Sequence, residues 1–133
     1  MAKPRAAKRT VKKQKQMVTT GVGRVYVSTT FNNTIVTITN EKGDAVAWSS
    51  AGAAGFKGAR KSTPFASTSV VEDAIRKARE VGVTSVEVYI KGPGVGRDAS
   101  LRAIRNSGMS IAMIADITPI PHNGPRPKKK RRN

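Results

Sequence analysis

Between Gly21 and Ser50 the chain carries three runs rich in β-branched and aromatic residues, each parted from the next by a turn signal. The first two, VGRVYVSTTF (22–31) and TIVTITN (34–40), flank Asn32 and Asn33, residue types whose side chains hydrogen-bond their own backbone in tight turns. NEKGDA (40–45), with Gly43 and Asp44, is a second turn and leads into a short third run, AVAWSS (45–50). Turns this short join antiparallel neighbours, so the opening of the domain reads as a three-stranded antiparallel meander.

The pattern then changes. AGAAGFKGARKS (51–62) sets Gly52, Gly55 and Gly58 among Lys57, Arg60 and Lys61, a glycine density expected of a loop rather than an element. Thr63 suits an N-cap, with Pro64 at the first helical position, where its missing N–H is harmless. The spacing of Val70, Val71, Ala74, Ile75, Ala78 and Val81 on one face predicts a helix to about Val81, closed by Gly82. Glu72 with Arg76 and Asp73 with Lys77 are i,i+4 pairs on the other face, expected to be solvated. TSVEVYI (84–90) alternates in strand fashion. KGPGVGR (91–97) is a sharp glycine turn into a short helix, about Asp98 to Ser107, ended by Gly108, and MSIAMIADIT (109–118) is a fifth strand. The order β-β-β-α-β-α-β predicts an α/β fold: a mixed five-stranded sheet with covering helices and right-handed crossovers. No internal repeat is visible.

Charge divides the chain into three. The formal net charge is +17, from 25 Lys and Arg against 8 Asp and Glu. Lys3, Arg5, Lys8, Arg9, Lys12, Lys13 and Lys15 crowd the N-terminus, and Arg126, Lys128, Lys129, Lys130, Arg131 and Arg132 crowd the C-terminus, with no acid in either stretch. The expected organisation is a basic N-terminal arm (1–20), disordered when free, a single α/β domain (21–118), and a basic C-terminal tail (119–133). Pro119, Pro121, Pro125 and Pro127 keep that tail extended. Self-repulsion on this scale disfavours compaction unless a polyanion neutralises it, which points to nucleic acid. There are no cysteines, which excludes disulfides, zinc–thiolate sites and thiol nucleophiles. No apolar stretch approaches the roughly 20 residues that span a bilayer, and no apolar segment follows the basic start. A soluble, intracellular protein is the expectation.

Catalytic readings find little support. GPGVGR lacks the third glycine of a dinucleotide fingerprint, where Arg97 stands, and no P-loop follows. It is either a tight strand–helix loop or one that adds a backbone-phosphate contact through Lys91, Arg97 and its amides. The 54–64 loop favours nucleic-acid contact, since no acid lies between Asp44 and Glu72. His122, the lone histidine, cannot build a metal site and is expected to pack or hydrogen-bond where the tail begins. Asn123 precedes Gly124 in a turn dipeptide open to attack by the following amide, a candidate site of deamidation. Asp44, Glu87, Asp98 and Asp116 come from dispersed contexts, which argues against two-metal nuclease chemistry. Of the aromatic residues Tyr26, Phe31, Trp48, Phe56, Phe65 and Tyr89, most are expected in the core, Phe56 excepted. With no RNP-type pair, recognition is expected to rest on phosphates and RNA shape rather than base stacking. A nuclear DNA-binding protein, with PKKKRR as import signal, is the principal alternative.

FNNTIVTIT, GFKGARKSTPFA, KGPGVGR and DITPIPHNGPRPKKKRR occur in an order and spacing that resembles the universal small-subunit ribosomal protein eleven family, bacterial type, from Gly21 to the C-terminus. The resemblance implies a ribonuclease H-like fold without its catalytic acids, no cofactor and no small-molecule substrate. It implies a structural role in translation, in the cytoplasm or an organelle, on the platform of the small ribosomal subunit. The partners it implies are small-subunit ribosomal RNA and neighbouring platform proteins near the messenger exit region, with no membrane. The RNA contacts it implies are Asn32 and Asn33; Phe56, Lys57, Gly58, Arg60, Lys61, Ser62 and Thr63; Gly92, Gly94, Gly96 and Arg97; and the tail from His122, Asn123 and Gly124 onward. Two departures stand out: Val95 where the family often has proline, and GPRPK where it often has GCRPPK.

Overall fold

A computed structural model describes residues 21–132. The expectations for the N-terminal arm lie outside the described residues. Strands β1 (Val22–Thr29), β2 (Thr34–Asn40) and β3 (Ala45–Ser50) are followed by a 3-10 helix (Gly58–Ser62), α1 (Pro64–Val81), β4 (Ser85–Lys91), α2 (Gly96–Asn106) and β5 (Ser110–Asp116). They form one sheet in the order β3-β2-β1-β4-β5, antiparallel across β3-β2-β1 and parallel across β1-β4-β5. The meander and the mixed sheet follow the sequence pattern. The 51–62 stretch, expected to hold no element, winds a 3-10 turn over Gly58–Ser62, and α2 begins two residues earlier than its spacing suggested.

Alternation decides which face of the sheet is buried. Val25, Val27, Val36, Ile38, Val86, Val88 and Ile90 point to one side, where α1 lies across β2 and β3 and packs α2 along its flank. Burying each such side chain is worth about 1.5–3 kcal/mol. Alanines at 66, 74, 78 and 103 let the backbones approach. The cap of α1 forms as its sequence predicts: Thr63 Oγ1 accepts from the Ala66 N–H at 3.2 Å, and Gly82 closes the helix in the left-handed region. Val81, assigned by spacing to the core face, is only half-buried, because the helix ends there and turns toward β4.

The two helices lie on one face of the sheet, and β5 at the sheet edge stays largely exposed. Two other expectations are corrected. The polar side of α1 is not simply solvated: Asp73 accepts from Ser49 Oγ at 2.9 Å, pairs with Lys77 at 3.0 Å and also holds Arg76, so the expected Glu72–Arg76 pair does not form. Partial burial works against ionising Asp73, but hydrogen bonds from Lys77 and Ser49 outweigh it and hold the carboxyl below its ordinary value. Most aromatic residues are not in the core. Tyr26 and Tyr89 stack on the open face of adjacent strands, centroids 5.2 Å apart, while Phe31, Trp48 and Phe65 are exposed. β-alternation sets Tyr26, Trp48 and Tyr89 opposite their buried neighbours, and no third layer among the described residues covers that side.

Candidate nucleic-acid interface

The parallel strands β1, β4 and β5 all end at one pole of the domain, and β2 and α1 begin there. Thr34 Oγ1 and Ser67 Oγ, 2.8 Å apart, tie those two beginnings together. Strand direction alone therefore gathers the β1–β2 turn, the glycine-basic loop, the β4–α2 turn and the start of the tail. In open α/β sheets the carboxyl ends of the strands are the customary binding edge.

In the first turn, Thr30 N–H donates to Asn33 O at 2.9 Å, and Thr30 Oγ1 accepts from the Asn33 N–H at 3.0 Å. Asn33 Oδ1 accepts from the Thr34 N–H at 2.8 Å, so this side chain shapes the turn while Asn32 and Phe31 project outward.

In the second loop, Lys57, Gly58 and Arg60 are exposed, and Lys61, Ser62 and Thr63 are half-buried. Thr63 Oγ1 also donates to Arg60 O at 2.8 Å, joining the 3-10 helix to α1. Among the described residues no acid pairs with Lys57, Arg60, Lys61 or Lys91, so their charge is free to meet an anion.

The third turn is fixed by packing. Gly92 has φ +101°, and a Cβ there would lie 1.9 Å from Thr29 O; one at Gly96 would lie 2.1 Å from Ser67 Oγ. The N–H group of Gly94 donates inward to Thr29 Oγ1 and that of Gly92 donates at the surface to Thr118 Oγ1, both at 3.2 Å. Of the two readings left open for GPGVGR, the tight loop accounts for these glycines and for two amides. Arg97 donates to Gly92 O at 2.9 Å and to Asp116 Oδ2 at 2.6 Å. Asp116 accepts further from Thr118 N–H and Oγ–H, and these bonds, Arg97's foremost, hold it well below the usual carboxylate range.

From Ile117 to Arg132 the chain has no helix or strand and is exposed throughout, presenting Arg126 and Lys128 to Arg132 to solvent. His122, expected to pack or hydrogen-bond, is exposed, and no hydrogen bond or ion pair among the described residues involves it, because the chain has already left the sheet edge. Asn123 has φ +57°, in keeping with its turn dipeptide beside Gly124. Asp44, Glu87, Asp98 and Asp116 sit on separate elements, and Glu87 and Asp116 are occupied by Arg24 and Arg97.

Sequence reasoning missed two features. By sequence Asp116 stands out only as a possible catalytic carboxylate, although its separation from Thr118 by two residues is a common local hydrogen-bonding pattern. The exposed Phe65 beside Phe56 carries no signal of its own, since aromatic residues near a helix start read as core.

This geometry defines a small cationic α/β protein that presents unpaired positive charge and an extended basic tail at the carboxyl edge of its sheet. The family profile described as "Ribosomal protein S11" matches residues 21–132. "Small ribosomal subunit protein uS11" of Borreliella burgdorferi (strain ZS7) is 59% identical over 112 residues, covering 84% of this chain and 86% of that protein. The protein of the same description from Borreliella afzelii (strain PKo) shows the same identity and coverage. The chain belongs to the ribosomal protein S11 family: it is a structural component of the small ribosomal subunit and not an enzyme.

Proposed function

We propose that the chain binds small-subunit ribosomal RNA on the platform of the subunit, through the pole just described and both basic arms, beside neighbouring platform proteins and close to the messenger exit region. The observation that carries this reading is the convergence of three turns and the tail at one edge, where Lys57, Arg60, Lys61 and Lys91 have no acidic partner among the described residues. Phosphates supply the counter-charge those groups lack. Asn32, Gly58, Ser62 and Thr63 contribute close backbone approach and hydroxyl or amide contacts. Gly92, Gly94, Gly96 and Arg97 keep the third turn in shape so that Lys91 faces the RNA. His122, Asn123 and Gly124 start the tail, and its six cations run along the phosphate backbone.

The strand order, antiparallel on one side of β1 and parallel on the other, supports a ribonuclease H-like reading of the fold. The division into arm, domain and tail at 1–20, 21–118 and 119–133 belongs to the same proposal. The test is the salt dependence of binding to small-subunit ribosomal RNA. With six to ten phosphates neutralised, affinity drops about 10³ to 10⁵ between about 50 and 200 mM salt. Replacing Lys57, Arg60 and Lys61 by alanine lowers that slope, whereas an unaltered slope would remove the loop from the interface.

A further inference from the structure

One corner of this pole is neither a core contact nor a point charge. Phe65, at the second position of α1, is 72% exposed, an uncommon placement for a phenylalanine on a structured helix. Its ring meets Phe56 edge to face, centroids 5.8 Å apart, and Phe56 itself packs on the core. Phe56 also forms a wall of an open recess of about 450 Å³, lined further by Ala54, Gly55, Lys57 and Arg60. That volume lies within the range of small-ligand sites, about 300–1,000 Å³.

The recess is held in shape by its own backbone. Phe56 N–H donates to Ala51 O at 3.0 Å, Ala54 N–H to Ser50 O at 2.9 Å, and Ala51 is fully buried. An aromatic wall on a rigid base, rimmed by two cations with no acid near in sequence, suits a flat ring that carries a phosphate. A nucleobase offers a π-face to Phe56 or Phe65, and its phosphate lies within the reach of Lys57 and Arg60.

We propose that this corner receives one unpaired nucleobase of ribosomal RNA, stacked on the exposed ring of Phe65, which Phe56 supports edge to face, with the phosphate of that nucleotide held by Lys57 and Arg60 at the adjoining recess. The proposal rests on the RNA-binding reading above and adds base stacking to it, contrary to the expectation of recognition through phosphates and RNA shape alone. An apolar side chain of a neighbouring protein is the competing occupant, and it would need no RNA to bind.

The test compares the full chain with Phe65→Ala, Phe65→Leu and Phe65→Trp for affinity to transcribed small-subunit ribosomal RNA without other proteins, at one fixed salt and as a salt slope. Thermal unfolding of each variant is measured alongside. Stacking predicts that Phe65→Ala and Phe65→Leu weaken binding about five- to a hundred-fold, that Phe65→Trp restores it, and that the salt slope does not change. Phe65→Leu binding as tightly as wild type, or a loss that follows only a lowered unfolding temperature, overturns the stacking claim. Wild-type protein that does not bind this RNA at low salt would instead overturn the underlying RNA reading.

Discussion

The guanidinium of Arg97 and the carboxylate of Asp116 lie 2.6 Å apart, joining the first turn of α2 to the last residue of β5. The same guanidinium holds Gly92 O, and the same carboxylate holds Thr118, so four segments of this pole meet at one ion pair. The tail departs from this point.

A consequence is a carboxyl group that stays ionised in acid. Its folded pKa is depressed, so the stabilisation it gives is present above the unfolded value of about 3.9 and is lost only as pH falls through the lower folded value. Carbon-13 NMR titration of the Asp116 carboxyl is expected to show no midpoint near 3.9. Asp116→Asn is expected to abolish this acid-range contribution and to broaden the resonances of Gly92 and Thr118. A normal titration of Asp116 would show that the latch does not hold in solution.

Gly96 tests whether the third turn is fixed by packing. A methyl group there meets Ser67 Oγ and Thr34 Oγ1, the two ends of the hydrogen bond that ties α1 to β2. Gly96→Ala is expected to lower unfolding stability by about 1–3 kcal/mol, read from the urea midpoint. An unchanged midpoint would mean that the pole yields easily.

Asn123 tests the start of the tail. It is exposed, sits in the left-handed region, and is followed by a glycine that leaves the attacking amide uncrowded. Incubation at neutral pH is expected to release ammonia through a cyclic imide and leave aspartate and isoaspartate, read by peptide mass spectrometry. Peptides containing only Asn123 would contradict this.

Much of the fold was legible because period-two alternation in β1 and β4, and the Thr63–Pro64 start with Gly82 at the end of α1, are local signals that the packing obeys. The open face was not legible. Tyr26, Trp48 and Tyr89 are the residue types that strands bury, and only the number of layers decides that here they face outward. The cationic loops could be read from glycines beside lysines and arginines. That Arg97 pins a turn while Lys57 and Arg60 stay free could not, because it depends on Asp116, nineteen residues on, reaching the same pole.

The most direct test of the account is ultraviolet cross-linking of ribosomal RNA to the chain in intact small subunits, with cross-linked peptides mapped by mass spectrometry. The account predicts cross-links in the segments containing Asn32, Phe56 to Thr63, Lys91 and the tail beyond His122. Cross-links concentrated on the open sheet face around Tyr26 and Trp48, with none at those four segments, would contradict it.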